Sequence, residues 1–324
     1  MQRTLGDLFP GGSIWLDRGT CGSLVQDNGK SVKALLIAVH YGDTQPTLKL
    51  LQCFSRMEGL SECAVLIVDN EAASCSRAEL QEAMAALPNI ELHQPMRNLG
   101  YFGASRAGLD SFLAQGRAMP EWVIVCNHDI LIEDTNFLTK LFLQDSTTAG
   151  VIAPRIQVLP GRADQNPFMR RRPGWLRWAS LRLGFSNYGS AAVWDWLSRK
   201  KKAARASWFA RRAMTAANSH GEPQSIYAPH GSFLIFSRKY FEAGGYLDAN
   251  LFLYGEEISV AEVCRSLGLP VIYEQSLCVL HDEHQSTGKR ITRLAYQHQK
   301  KALQYVRSRY LLDSAKPVDP RAKP

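Results

Sequence analysis

Trp122-Val123-Ile124-Val125-Cys126-Asn127-His128-Asp129 is the stretch on which the fold turns. Its apolar run, bounded by polar residues, has the length of a buried strand rather than a helix. A buried strand that ends in a carboxylate sets it at the carboxyl edge of a sheet, where open α/β folds hold their ligands. Asp129 is therefore a candidate metal or phosphate-side ligand. The competing reading of one such Asp is a cap on the next turn, and residues elsewhere in the chain decide between the two.

A second apolar run, Ala64-Val65-Leu66-Ile67-Val68, also ends in a carboxylate, at Asp69-Asn70, and a third spans Val32 to Val39. The helix-compatible stretch Pro46–Met57 joins the third to the second, which predicts a βαβ unit with parallel strands. Beyond it the pattern predicts a helix over 77–87, a strand over 90–93 and a helix over 103–116 leading into the Asp129 strand. Strand signals resume over 225–236, 271–273 and 277–280, the last running into His281. Helices are expected over 258–267 and 291–312. Residues 1–31 are Gly-rich and polar and read as an extension; the tail 316–324, with three prolines, reads as disordered. The expected layout is a 32–285 catalytic domain followed by a C-terminal helix over 286–315.

At 324 residues and 45% hydrophobic content the chain can bury a large core. Seven scattered cysteines with no CxxC pair point to neither a disulfide framework nor a zinc cluster, and a reducing cytoplasm is the default expectation. No basic, apolar leader opens the sequence and no run approaches the length of a membrane span, so the chain is expected to be neither exported nor integral. The net charge of +8 is unevenly spread. Between Arg162 and Arg212 stand thirteen Lys and Arg against Asp164 and Asp195, a net of +11, so the remainder carries −3.

Two acidic strand ends, Asp69 and Asp129, thus meet at one sheet edge, where a carboxylate serves a base N–H or a ribose hydroxyl. Asn98-Leu99-Gly100-Tyr101-Phe102-Gly103 is a glycine loop opening a helix, whose amides can face an anion or simply make a turn. Tyr254-Gly255-Glu256-Glu257 sets adjacent carboxylates before a helix. They either complement its dipole or serve as a general base in a cleft. His281 ends its strand beside Asp282 and Glu283.

In their order and spacing these motifs resemble the family-two glycosyltransferases of GT-A fold, in particular rhamnosyl- and galactosyltransferases of cell-surface polysaccharide assembly. The resemblance runs from about Val32 to Ser286. It is carried by Ala38-Val39-His40-Tyr41, Val68-Asp69-Asn70, the glycine loop, Asn127-His128-Asp129-Ile130, Gly244-Gly245-Tyr246-Leu247-Asp248, the Glu256-Glu257 pair and His281. It implies an α/β, Rossmann-like, mainly parallel mixed sheet flanked by helices, with a basic Trp-rich insertion over 162–212. It implies a UDP- or dTDP-sugar donor lined by His40, Asp69, Asn70, Asn98, Gly100, Gly103 and Asn127. Mg²⁺ or Mn²⁺ would be held by Asp129 and His281. Glu257, second in the acidic pair after Glu256, matches the usual base of an inverting transfer to a glycan hydroxyl. The chain departs from the family pattern at Glu257, where Asp is common, at Arg106, where Asn often stands, and at Ser259, where an acid often follows.

The 162–212 segment interleaves Trp175, Trp178, Trp194, Trp196 and Trp208 with its cations. Trp sits at headgroup level while Lys and Arg engage anionic lipid, so an anionic membrane surface is the expected partner. Together with the lipid-linked glycan acceptor that the resemblance implies, this predicts a cytoplasmic protein, peripheral on the inner face of the cell membrane. Nucleic-acid binding by stacking is the disfavoured use of the same patch. The alternative to an enzyme is a catalytically silent GT-A-like module that binds membrane or nucleic acid. A nucleotidyltransferase would need a Gly-rich, Lys-containing phosphate loop near the first strand, which the sequence lacks.

Overall fold

The computed structural model describes residues 32–71, 77–85, 87, 89–198, 222–282 and 292–312. The expected extension 1–31, the tail 316–324, residues 199–212 of the basic segment, and 283–291 and 313–315 around the C-terminal helix lie outside the described residues.

Strand β1 (Ala34–His40) is buried at every position, as suits a parallel strand covered on both faces. Its alternation sorts two cores. Leu35, Ile37 and Val39 face Phe102, Leu109 and Phe112 of α3 (Tyr101–Ala114). Leu36 and Ala38 face Leu50, Leu51 and Phe54 of α1 (Thr44–Phe54), with Phe137, Leu138 and Leu141 of α4 (Phe137–Phe142) in the same cluster. Helix α3 lies close on the sheet at Gly108, where a Cβ would stand 2.8 Å from Val68 Cγ2.

Around β1 the sheet is assembled from β2 (Cys63–Asp69), β3 (Ile90–His93), β4 (Trp122–Asn127), β5 (Ile130–Leu131), β6 (Val151–Val158), β7 (Ala163–Asp164), β8 (Gln224–Ile226), β9 (Phe233–Ser237) and β10 (Val271–His281). Its order is β3-β2-β1-β4-β9-β6-β10-β5, with β7 beside β6 and β8 beside β10. Strands β3, β2, β1 and β4 are mutually parallel. Strand β9 runs antiparallel between β4 and β6, and β10 is parallel to β6. The remaining helices are α2 (Arg77–Ala85), α5 (Trp175–Gly184), α6 (described over 188–198), α7 (Arg238–Glu242), α8 (Glu256–Ser266) and α9 (Arg293–Val306).

Register fixes what meets at the carboxyl edge. His40 pairs with Asp69 and Val39 with Asn127, so three strand ends stop level. Strand β5 turns back and pairs antiparallel with β10, His281 opposite Ile130, which brings His281 beside Asp129.

Several elements differ from the sequence expectation. The strand expected over 225–236 is two, β8 and β9, separated by residues 227–232, where Pro229 has no N–H for a ladder. The strands expected over 271–273 and 277–280 are one, β10, whose register slips between Glu274 and Cys278. Strand β6 has no counterpart in the expectation because Pro154 interrupts its pattern; the residue paired with Pro154 is Glu274, at that same slip. The basic segment contains helices α5 and α6. No described helix is long and apolar enough to cross a membrane.

Behind the edge, buried Asp248 anchors the C-terminal helix. Tyr305 Oη donates to its Oδ2 at 3.0 Å and Tyr310 Oη at 2.5 Å. The backbone continues from α9 into a wider helical turn, Arg307–Leu312, which carries Tyr310.

Candidate active site at the carboxyl edge of the sheet

On the β1–β3 side, the polar residues hold one another. Asp69 accepts from Glu71 N at 3.2 Å and from Gln94 Nε2 at 3.3 Å. Asn70 donates to Asn98 Oδ1 at 3.0 Å and to Gly100 O at 3.2 Å, and its Oδ1 accepts from Leu99 N at 2.9 Å. Asn98 Oδ1 also accepts from Gly100 N at 2.8 Å. The glycine loop is thus clasped by two side-chain amides. Gly100 has φ 74° and a Cβ there would lie 2.0 Å from Phe252 O, so only glycine fits. Tyr101 N, the first amide of α3, donates to that same Phe252 carbonyl at 3.0 Å, which gives it a protein partner rather than an anion. Gly103 faces Leu99, whose Cβ would stand 3.0 Å from an added one. His40 is fully buried with its Nδ1 2.7 Å from Thr47 Oγ1, and burial, reinforced by His128, lowers its pKa to about 4.

Across the edge, Asp129 and His281 are both buried, with His281 Nε2 3.3 Å from Asp129 Oδ1. Gln165 Oε1 lies 2.8 Å from His281 Nδ1, a contact that orients the ring with Nε2 toward Asp129. His230 stands beside them, its ring 6.1 Å from that of His281. Adjacent ligands of an octahedral ion are separated by about 3 Å, close to the observed spacing, and a carboxylate with an imidazole nitrogen is an acceptable donor pair for Mn²⁺ or Mg²⁺. Among the described residues no group of three or more such ligands gathers. These two residues therefore fit an ion that takes its remaining ligands from substrate or water, as Mg²⁺-type ions commonly do.

Between the two sides stands Tyr101. Its hydroxyl is buried without a hydrogen-bond partner among the described residues. Burial, then the Cys126 thiol and the carboxylates of Glu256, Asp129 and Glu257, push its pKa well above the ordinary value. All three carboxylates therefore lie within electrostatic reach of one buried phenol. Glu256 and Glu257 open α8 behind Gly255, which takes the left-handed conformation at φ 92°. Burial, followed by the neighbouring charge of Glu257, pushes Glu256 up to about 8, so it holds a proton at neutral pH. Burial also raises Glu257, opposed by backbone N–H groups that include Gly231. Its Oε1 would lie only 3.1 Å from a Cβ at Gly231, so the 227–232 loop admits this carboxylate by having no side chain there.

The sequence-derived residues thus form two groups. Asp129, Glu256 and Glu257 lie within electrostatic reach of Tyr101, with His281 beside Asp129, while Asp69, Asn70, Asn98, Gly100 and Gly103 build the neighbouring wall. Gln165, His230 and Gly231 were missed. Each lies in a loop with no local pattern, brought in by β6 and β9; the Pro-His-Gly run at 229–231 was the one available signal.

No protein-family model matches the sequence, and no curated protein matches it. Solved structures do match the fold. GalNAc-T7 with UDP, GalNAc and Mn²⁺ superposes with a TM-score of 0.54 at 15% identity, over 88% of this chain and 49% of that one. TarS 1–349 from S. aureus in complex with UDP gives 0.50 at 11% identity, over 88% of this chain and 68% of the other. The chain spans about half the length of GalNAc-T7. What these likenesses establish is the architecture: a mixed, mainly parallel sheet flanked by helices, of the GT-A type found in glycosyltransferases.

Proposed function

We propose that the chain is an inverting, metal-dependent glycosyltransferase that moves a sugar from a UDP- or dTDP-sugar to a hydroxyl of a lipid-linked glycan in surface polysaccharide assembly. The observation that carries this reading is the convergence of Asp129, His281, Tyr101, Glu256 and Glu257 at the carboxyl edge of a GT-A sheet. The solved relatives with UDP support the donor class, and the one with Mn²⁺ supports a divalent ion.

Asp69, at the level of His40 and Asn127, offers the base or ribose a carboxylate. Asn70 and Asn98 keep the glycine loop in place beside it. Asp129 and His281 would hold Mn²⁺ or Mg²⁺, which when bound supplies positive charge against the diphosphate. Glu257 takes the proton of the acceptor hydroxyl as that oxygen attacks the anomeric carbon. The new C–O bond forms opposite the breaking bond to phosphate oxygen, the nucleoside diphosphate leaves with the electron pair, and configuration is inverted. Protonated Glu256 keeps a second negative charge away from the base, leaving the pair with one ionised member near neutral pH. Tyr101 sets a buried hydroxyl, without a partner among the described residues, within electrostatic reach of these carboxylates.

Incubating the purified chain with a set of nucleotide sugars, with and without Mn²⁺, and measuring nucleoside diphosphate release tests the reading. Metal-dependent release from at least one sugar is expected. Its absence across the set, together with absent Mn²⁺-dependent donor binding by calorimetry, would overturn the proposal.

A further inference from the structure

Helices α5 and α6 place a set of large apolar side chains in water. Trp175 is 76% exposed, Leu176 66% and Leu183 73%. At about 100° per residue, Trp175, Leu176, Ala179 and Leu183 fall on a single face of α5. On α6, Val193, Trp196 and Leu197, at spacings of three and four, are exposed on one face as well. The helices form a built unit. Gly184 lies against the ring of Trp194, where a Cβ would stand 3.1 Å away. Tyr296 and Lys300 of α9 donate to the carbonyls of Phe185 and Ser186 at the junction.

The cations of this unit divide by role. Arg172 is structural: it pairs with buried Glu262 at 2.6 Å, with Tyr227 Oη on the same carboxylate. Arg171, Arg177 and Arg182 are exposed and pair with no carboxylate among the described residues. A groove of about 640 Å³ between α5 and the C-terminal turn is walled by Trp175, Trp178, Ala179 and Leu183, with Arg182 and Arg307 at its lining.

We propose that α5 and α6 form a docking face for a bilayer of anionic phospholipid, with Trp175, Leu183 and Trp196 entering the headgroup boundary and Arg171, Arg177 and Arg182 meeting phosphates. Charge complementarity selects this occupant. A second copy of the chain would bring the same unpaired arginines against one another. An RNA partner would use the tryptophans as stacking platforms but gain nothing from Leu176, Leu183, Val193 and Leu197, which have no ring to stack. Apolar insertion with cationic flanks is what an interfacial helix requires. The Arg172–Glu262 pair ties this face to α8 at a point six residues, or about 9 Å along the helix axis, from Glu256. For the transfer proposed above, an acceptor anchored in the same bilayer is then presented near the base; that consequence rests on the catalytic reading, whereas the docking does not.

Co-sedimentation of the full chain with phosphatidylcholine vesicles, alone or mixed with phosphatidylglycerol, tests it. Binding is expected to the mixed vesicles, weakening as salt rises and leaving a salt-resistant remainder. Arg171→Glu, Arg177→Glu and Arg182→Glu together should lower the partition coefficient by about a hundredfold. Trp175→Phe with Trp196→Phe should remove most of the fluorescence quenching by lipids brominated in the acyl chain. Circular dichroism and nucleotide-sugar binding equal to wild type would certify that the variants fold. No vesicle binding, equal binding to neutral and anionic vesicles, wild-type binding by the charge-reversed variant, or RNA binding in place of vesicle binding would each overturn the proposal.

Discussion

Asn70 and Glu256 are nearly equally buried, 4% and 5% exposed, at the same sheet edge. Asn70 places its side chain in three hydrogen bonds within the glycine loop, whereas Glu256 Oε1 has no partner among the described residues. Beside Glu256, the Tyr101 hydroxyl is in the same condition. An unsatisfied buried polar atom costs roughly 1–3 kcal/mol. One wall of the site thus stabilises the fold, and the other carries destabilising groups that stability alone would not select. Buried polar groups of the second kind are where function is expected.

Opposite mutational signatures follow for the two walls. The largest effect belongs to Asp129→Asn, which keeps the size of the side chain and removes its charge. Calorimetry should show Mn²⁺-dependent nucleotide-sugar binding abolished, with the melting temperature nearly unchanged; undiminished metal-dependent binding would sink the assignment of the metal ligands. Next, Glu257→Gln should lower kcat by roughly 10² to 10⁴ with donor affinity preserved. The same signature from Glu256→Gln alone would reverse the roles of the pair.

On the structural wall the order inverts. Asn70→Ala removes three hydrogen bonds from a buried site and should cost about 2–3 kcal/mol in denaturant unfolding. Donor affinity should fall only as the loop loosens. A loss of donor binding with stability intact would make Asn70 a ligand residue and erase the contrast.

The smallest effect is in the pH dependence of stability. With its ordinary value at 4.5 raised to about 8 by burial and by Glu257, Glu256 binds its proton more tightly in the folded chain. The stability linked to that proton is fully present below 4.5 and is lost progressively as pH rises toward 8. Glu256→Gln should flatten this decline, so that the variant gains on wild type between pH 6 and about pH 8 in parallel denaturation curves. Identical slopes would mean that Glu256 is already ionised at neutral pH.

The residues at the carboxyl edge, on both walls, were more legible in the sequence than their surroundings. Asp69, Asp129 and His281 each follow an apolar run whose length fixes a strand end, and the acidic pair precedes a regular helix, so local pattern located all of them. The tie between Asp129 and His281 depends on β5 turning back along β10, a register that no local signal encodes. Strand β10 was broken into two because Glu274-Gln275-Ser276 reads as a turn, although the chain passes it with a register slip. Strand β6 was hidden by Pro154 for the same reason: an irregularity shared by two neighbouring strands is satisfied in three dimensions and looks like an ending in one. The helices of the basic segment were obscured by their own exposed apolar faces, which lack the polar covering by which a surface helix is recognised.

The tyrosine clamp on Asp248 bears on how the chain is made. Its partners Tyr305 and Tyr310 are 57 and 62 residues downstream. A ribosome adding 5–20 residues per second produces Tyr310 roughly 3–12 s after Asp248. Through that interval the carboxylate has no tyrosine cover, although the strands carrying Asp69 and Asp129 have long since emerged. The sheet's central strands are thus available for pairing during translation, while the closing of the Asp248 site waits on some of the last described residues to be synthesised.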